Sequence, residues 1–166
     1  PFSFRYSGQP SDALLPTWKR EATTRKLDAL RAQRTLIWTD PVSGLDVRLV
    51  AIEYKDFPAV EWLLFFTNTG KVDTPIIESV LPFDIRVENP AGFTLRHSLG
   101  DSNSADSFRP MADALGLSNR AAHIFASKGG RSSDGNMPYF NIDGGSNGMV
   151  LAIGWAGQWR AEFTQV

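Results

Sequence analysis

Short alternating runs separated by turn residues dominate this chain. In Asp46–Tyr54 (DVRLVAIEY), Val47, Leu49 and Ala51 fall on one face of a period-two strand, and Arg48, Val50 and Ile52 on the other. Val60–Asn68 (VEWLLFFTN) is a nearly continuous apolar run rich in aromatics, the pattern of a strand covered on both faces. Thr74–Asn89 reads as strand, proline break, strand. Gly92–Ser98, Ala122–Ser127, Tyr139–Asp143, Gly148–Trp155 and Gln158–Val166 supply further short strands. Turn chemistry lies between them, at Asp40–Gly44 (DPVSG), Asn68–Lys71, Glu88–Gly92 and Asp143–Gly148 (DGGSNG). This spacing predicts an all-β, antiparallel sandwich with little helix.

Two segments depart from that rhythm. Arg25–Arg34 is full of good helix formers. Leu27, Ala29, Leu36 and Trp38 also fit a two-residue alternation running into the Asp40 turn, and the all-β surroundings favour the alternation. Gly100–Asn119 has no clean period and reads as a long loop with one short helical turn at Met111–Leu115. No repeat, low-complexity tract or linker divides the chain, so residues 1–166 are expected to form one domain.

Composition narrows the function classes. The net charge is −1 and the pI about 6.2, which gives no electrostatic case for nucleic acid or for an anionic membrane. Met149–Ile153 and its neighbours fall far short of a membrane span, and no signal peptide opens the chain. There is no cysteine, so disulfides, thiol catalysis and zinc–thiolate sites are excluded. The compartment stays open: cytoplasm, or periplasm or exterior after removal of a signal. Pro1 in place of an initiating Met reads as a fragment or a processed chain.

Catalytic signals are thin. His97 and His123 stand in strands without a metal-ligand spacing and read as hydrogen-bonded structural histidines. Arg131–Gly135 (RSSDG) sets serines near an aspartate but lacks the G-x-S-x-G nucleophile turn. Asp101–Asp106 (DSNSAD) alternates oxygen donors like a calcium loop, but has no central glycine and carries Ala112 at the twelfth position. No cofactor and no metal is expected. Paired carboxylates cleave glycosides, yet the eighteen acidic residues are scattered. The five tryptophans are more suggestive, because indole faces stack on sugar C–H faces. Trp62 sits in an apolar run and reads as core. Trp155 and Trp159 flank a tight turn four residues apart, and read either as carbohydrate contacts or as core.

Three ordered segments carry a family resemblance. Phe4–Trp18 (FRYSGQPSDALLPTW) resembles an early G-K-P-x-x-x-L-P segment, with Gln9 in place of lysine. Asp40–Gly70 resembles a D-x-x-x-G-L hairpin ending at N-x-G. Arg131–Trp159 resembles an S-S-x-x-x-x-P-F element followed by a strand and a G-x-W/Y-S-G-N/Q-W/F turn, with Ala156 in place of the common Ser or Thr. In this order they resemble the N-terminal β-sandwich of glycoside hydrolase family 36, the α-galactosidase-like group, in its bacterial branch.

The resemblance implies an antiparallel β-supersandwich of two packed sheets with galactose-mutarotase-like topology. It implies a catalytic (β/α)₈ barrel downstream, which carries both catalytic aspartates, and a sandwich that continues past Val166. By this likeness the parent protein is an α-galactosidase-like glycoside hydrolase, and the chain alone is expected to be non-catalytic. Its implied partners are the barrel or another chain of the same protein, a carbohydrate such as an α-galactoside, and further copies in a homo-oligomer. The implied pocket or barrel contacts are Arg5, Tyr6 and Gln9 in the early loop, with Arg131, Ser132, Ser133 and Asn136 in a second loop. Trp155, Gln158 and Trp159 complete the set. Arg131 is suited to forked hydrogen bonds with hydroxyls or a carboxylate. A free-standing carbohydrate-binding module, or an immunoglobulin-like scaffold without a sugar ligand, are the rival readings.

Overall fold

The computed structural model describes residues 1–89, 92–115 and 122–164. Two compact units form, Pro1–Arg86 and Val87–Val166. The expected all-β, antiparallel class is what is found: every strand pairing within a sheet is antiparallel, and one short α-helix is present among the described residues.

The first unit contains β1 (Ser3–Tyr6), β2 (Gln9–Pro10), α1 (Ser11–Leu14), a 3-10 turn at Leu15–Thr17, β3 (Lys19–Lys26), β4 (Arg31–Thr39), β5 (Leu45–Tyr54), β6 (Val60–Asn68) and β7 (Ile77–Leu81). One sheet has the order β3-β4-β5-β6 and the other β2-β1-β7. The predicted inward face of β5 is the floor of the core: Val47 is fully buried, Leu45 nearly so, and Leu49 and Ala51 follow. Phe4, Tyr6 and Trp18 cover that floor, so the two sheets of this unit share one apolar layer. The rings meet edge to face, Phe4 on Phe66 at 5.3 Å and Tyr6 on Trp18 at 5.8 Å between centroids, the arrangement that aromatic quadrupoles favour.

Four expectations need correction here. The alternation read through Arg25–Arg34 is broken by a reversal. Leu27 and Asp28 donate backbone N–H groups to the Arg31 carbonyl, and the Asp28 carboxylate accepts from the N–H of Leu30 and Arg31 at 2.9 and 2.8 Å. Leu27 and Ala29 therefore lie in a turn between two strands. β6 is not covered on both sides: Trp62, Leu64 and Phe66 face inward, while Leu63 is 66% and Phe65 37% exposed at the end of the sheet. Trp62 is only half-buried; it stacks on Phe83 and donates its indole N–H to the Pro82 carbonyl at 2.8 Å. After Pro82 no second strand forms through Asn89.

The turns at either end of β5 and β6 lock together. Gly44 has φ +77°, and a Cβ on Gly70 would stand 2.1 Å from the Ser43 carbonyl oxygen. Both positions need glycine, one for its backbone angle and one for the close approach. Asp40 organises the same corner. Its carboxylate, 7% exposed, accepts from the N–H of Val42 and Ser43 and from the Ser43 hydroxyl at 2.6 Å. The Tyr6 hydroxyl closes the network, 2.6 Å from Ser43 Oγ.

The second unit contains β8 (Phe93–Ser98), β9 (Pro110–Leu115), β10 (His123–Ala126), β11 (Tyr139–Asp143), β12 (Gly148–Ala152) and β13 (Arg160–Phe163). Its sheets have the orders β12-β11-β8-β9 and β10-β13. Leu95, Phe140 and Ile142 from the larger sheet pack with Phe125, from the smaller, and Trp159. Met111–Leu115 is a strand rather than the expected helical turn. Six register pairs with β8, from Phe93↔Leu115 to Ser98↔Pro110, outweigh its helix-forming Ala, Met and Leu. The strand expected at Gln158–Val166 is ordered as β13, and its last two residues, like 116–119 of the expected loop, lie outside the described residues. The DGGSNG turn joins β11 to β12 as a hairpin, with Gly144 N–H on the Asn147 carbonyl at 2.8 Å.

Asp40 gives the first unit a pH dependence of known sign. Burial raises its carboxyl, but the Ser43 hydroxyl and the backbone N–H donors more than offset that and hold it below the usual carboxylate range. A depressed folded-state value contributes stability above the unfolded value of about 4 and loses it as pH falls through the folded value. Thermal unfolding followed from pH 6 downward is expected to show a midpoint that declines below about pH 4, with a shallower decline in Asp40→Asn.

Candidate functional site

The Phe4–Trp18 segment folds as a hairpin followed by a helical turn. Ser7 (φ +51°) and Gly8 (φ +74°) reverse the chain, so Gln9 pairs with Tyr6. The Arg5 guanidinium closes onto the Gly8 carbonyl. Ser11, 3% exposed, accepts the Phe4 N–H and ties the helical turn to β1. Thr17 donates its hydroxyl to the Leu14 carbonyl at 2.7 Å, and the turn then delivers Trp18 into the core. Arg5 and Gln9 are exposed. Tyr6 is 5% exposed, and burial is the main reason its hydroxyl is held above the ordinary phenol range.

A shallow pocket of about 370 Å³ opens beside this segment, lined by Asp12, Leu15, Pro16, Trp18, Arg20 and Trp38. The strand register explains the set. Arg20 lies opposite Trp38 across β3 and β4, and its guanidinium sits over the indole at 5.8 Å. Phe2 braces Trp38 edge-on at 5.6 Å. Asp12 lies in the first turn of α1 and is exposed. An aromatic surface, one carboxylate acceptor and one guanidinium donor therefore share one opening. That set suits a polyhydroxylated ligand: the carboxylate accepts from hydroxyls and the guanidinium donates to them, beside a partly buried Trp38. Asp12, Arg20 and Trp38 were not among the residues singled out in the sequence. Trp38 was visible as a strand aromatic, but its partnership with Arg20 depends on the reversal at residues 27–30.

The other expected contacts fall in the second unit. The loop after β10 is tied down from several sides. Trp159 donates its indole N–H to the Ser132 carbonyl at 2.6 Å and its backbone N–H to the Ser127 hydroxyl at 3.1 Å. Asn136 donates to the Ala126 carbonyl at 2.9 Å, and Asp101 N–H bonds the Ser133 carbonyl at 2.8 Å. Arg131 is exposed and pairs with Asp134 at 3.3 Å. The structure thus brings Ser132, Asn136 and Trp159 into one hydrogen-bonded corner. Trp159 is 7% exposed there and meets Phe140 edge to face at 5.9 Å. Trp155 differs: it is 68% exposed, with its indole resting over Gly157, where a Cβ would come within 2.7 Å of Nε1. Gln158 is exposed between them.

The two histidines converge on one carboxylate. His97 Nε2 and His123 Nδ1 lie 3.2 and 3.4 Å from Asp113 Oδ2, and the His97 ring packs on Phe125 at 4.5 Å. This contact links β8, β9 and β10 across the core of the second unit. Among the described residues no group of three His, Asp or Glu side chains is placed to hold a metal ion.

These placements separate the two paired tryptophans by stability. Trp159→Ala is expected to cost about 3–5 kcal/mol in urea unfolding of the second unit. Trp155→Ala is expected to stay within about 0.5 kcal/mol of the parent chain. No family model, curated protein or solved structure matches the chain.

Proposed function

We propose that the chain is a non-catalytic β-sandwich portion of an α-galactosidase-like retaining glycoside hydrolase. In this reading it packs on a catalytic barrel, supports a homo-oligomer and lines a sugar site. One observation carries the sugar reading: Trp18, Trp38, Asp12 and Arg20 line one open pocket, and that pocket is built on the segment Phe4–Trp18. This is also a segment whose motif resembles the family, and its Asp12 sits within the S-D-A-L-L-P run. A shallow wall of this kind positions a sugar without acting on it, which lowers the entropic part of a barrier raised elsewhere.

A free-standing carbohydrate-binding module is the second reading, favoured by the exposed Trp155 indole. Titration calorimetry with methyl α-galactoside separates the two. The first reading expects binding that weakens about tenfold, or ~1.4 kcal/mol, in Trp38→Ala. Asp12→Asn, on an exposed residue, is expected to weaken it while leaving the thermal midpoint in place. Loss in Trp155→Ala instead would support the second reading, and no heat with any of a panel of glycosides would overturn both. The pure chain is expected to give no turnover of p-nitrophenyl α-galactoside; steady hydrolysis would contradict the non-catalytic assignment.

A further inference from the structure

One charged cluster stands in the otherwise apolar core layer of the second unit. His97 Nε2 and His123 Nδ1 approach the same oxygen, Asp113 Oδ2. The His97 side chain is 7% exposed and that of His123 17%, while Asp113 at 36% reaches the rim. The far nitrogens of the two rings, His97 Nδ1 and His123 Nε2, are buried without a hydrogen-bond partner among the described residues. The strand register puts the cluster on the core face. Asp113 pairs with the fully buried Leu95, His97 lies two residues further along β8, and His123 pairs with Phe163. The other charged or titratable side chains of β8–β13 are Arg96, Tyr139, Asp143, Arg160 and Glu162, and all take the opposite phase of their strands. Arg96 bonds Asp143 there, and Arg160 bonds Glu162. In the flanking loops Arg109 pairs with Asp106 and Arg131 with Asp134. One carboxylate therefore faces two imidazoles with no further charge from these strands.

We propose that His97, Asp113 and His123 form a proton-operated latch, which holds β10 and its partner β13 against β8 and β9 and releases them in acid. β10 pairs only with β13, and no ladder hydrogen bond among the described residues joins this pair to the larger sheet. A neutral imidazole can turn its N–H to the carboxylate and leave a bare lone pair on the far nitrogen. A charged imidazole carries N–H on both nitrogens, and the far one then finds no acceptor. The Asp113 carboxylate balances one such charge. A second proton leaves the layer with a net positive charge and a second unpartnered N–H. The closed latch thus holds one proton on its two rings, and the open, solvated form holds two. Imidazole is the side chain that changes charge between about pH 5 and 8. Because the open form binds one proton more, acid favours it, and its population rises about tenfold for each pH unit of acidification. Release also reaches the corner beyond β10, where Ala126 and Ser127 bond Asn136 and Trp159. The inference rests on none of the sugar or barrel contacts.

Hydrogen exchange of the full chain, read by mass spectrometry from pH 7.5 to 5 and corrected for the intrinsic pH dependence of exchange, tests it. The opening equilibrium of peptides covering β10 and β13 is expected to rise about tenfold between pH 6 and pH 5, while peptides of β4 and β5 stay level. His123→Gln keeps an N–H for Asp113 but cannot take a proton. One imidazole then faces one carboxylate, and the pH dependence is expected to vanish. His97→Gln is expected to do the same. Asp113→Asn removes the balancing charge, so the closed form holds no proton and the rise is expected to steepen to about a hundredfold. A purely structural tie would instead loosen by one constant factor at every pH and keep the parent slope. A level profile in the parent chain would overturn the inference without any variant having to fold. Either glutamine variant keeping the parent slope would also overturn it.

Discussion

Phe4, Tyr6 and Trp18 have to be buried against Leu45 and Val47, and most of the first unit follows from that constraint. The residues come from a short strand and a helical turn, both too short to be stable alone. Ser11 joins the two by accepting the Phe4 N–H, and the ring contacts give the joined piece an apolar underside. Tyr6 brings a hydroxyl into that layer, so the layer needs a polar partner. Ser43 and Asp40 supply it from the turn before β5. The Gly44 and Gly70 turns hold that corner where the hydroxyl can reach it.

The pocket is a consequence of the same seam. Trp18 is buried, whereas Trp38 on β4 packs on the same core but is only partly buried, with Phe2 at its edge and the Arg20 guanidinium over its ring. The rim between them stays open, and α1 places Asp12 on its other side. A site of this kind costs little in folding terms, because none of its charged groups is deeply buried. The exposed apolar strand β6 lies on the far edge of the same sheet, away from this opening at β3 and β4.

Parts of this were legible in the sequence. β5 alternates cleanly because one of its faces is core and the other carries Arg48, and that contrast fixes phase and register. The Asp40–Gly44 and Asp143–Gly148 turns were equally plain from their residue types. β9 was not, because PMADAL has helix formers and its strand state comes from pairing with β8, a partner distant in sequence. β6 misled for the opposite reason: its apolar run implies cover on both faces, and one face is bare. Trp155 and Trp159 share a strand phase on paper, but the turn between them sends one into solvent and the other onto Phe140. The pocket needed the reversal at residues 27–30, whose signal is a local Asp28 cap that an alternation pattern passes over.

The five tryptophan indole N–H groups give five reporters spread over both units. Their nitrogen–proton correlation signals, followed during titration with methyl α-galactoside, report where a sugar docks. The Trp18 and Trp38 signals are expected to move together and saturate, while those of Trp62 and Trp159 stay fixed. Movement confined to Trp155, or no movement at any indole while the sugar binds, would contradict it.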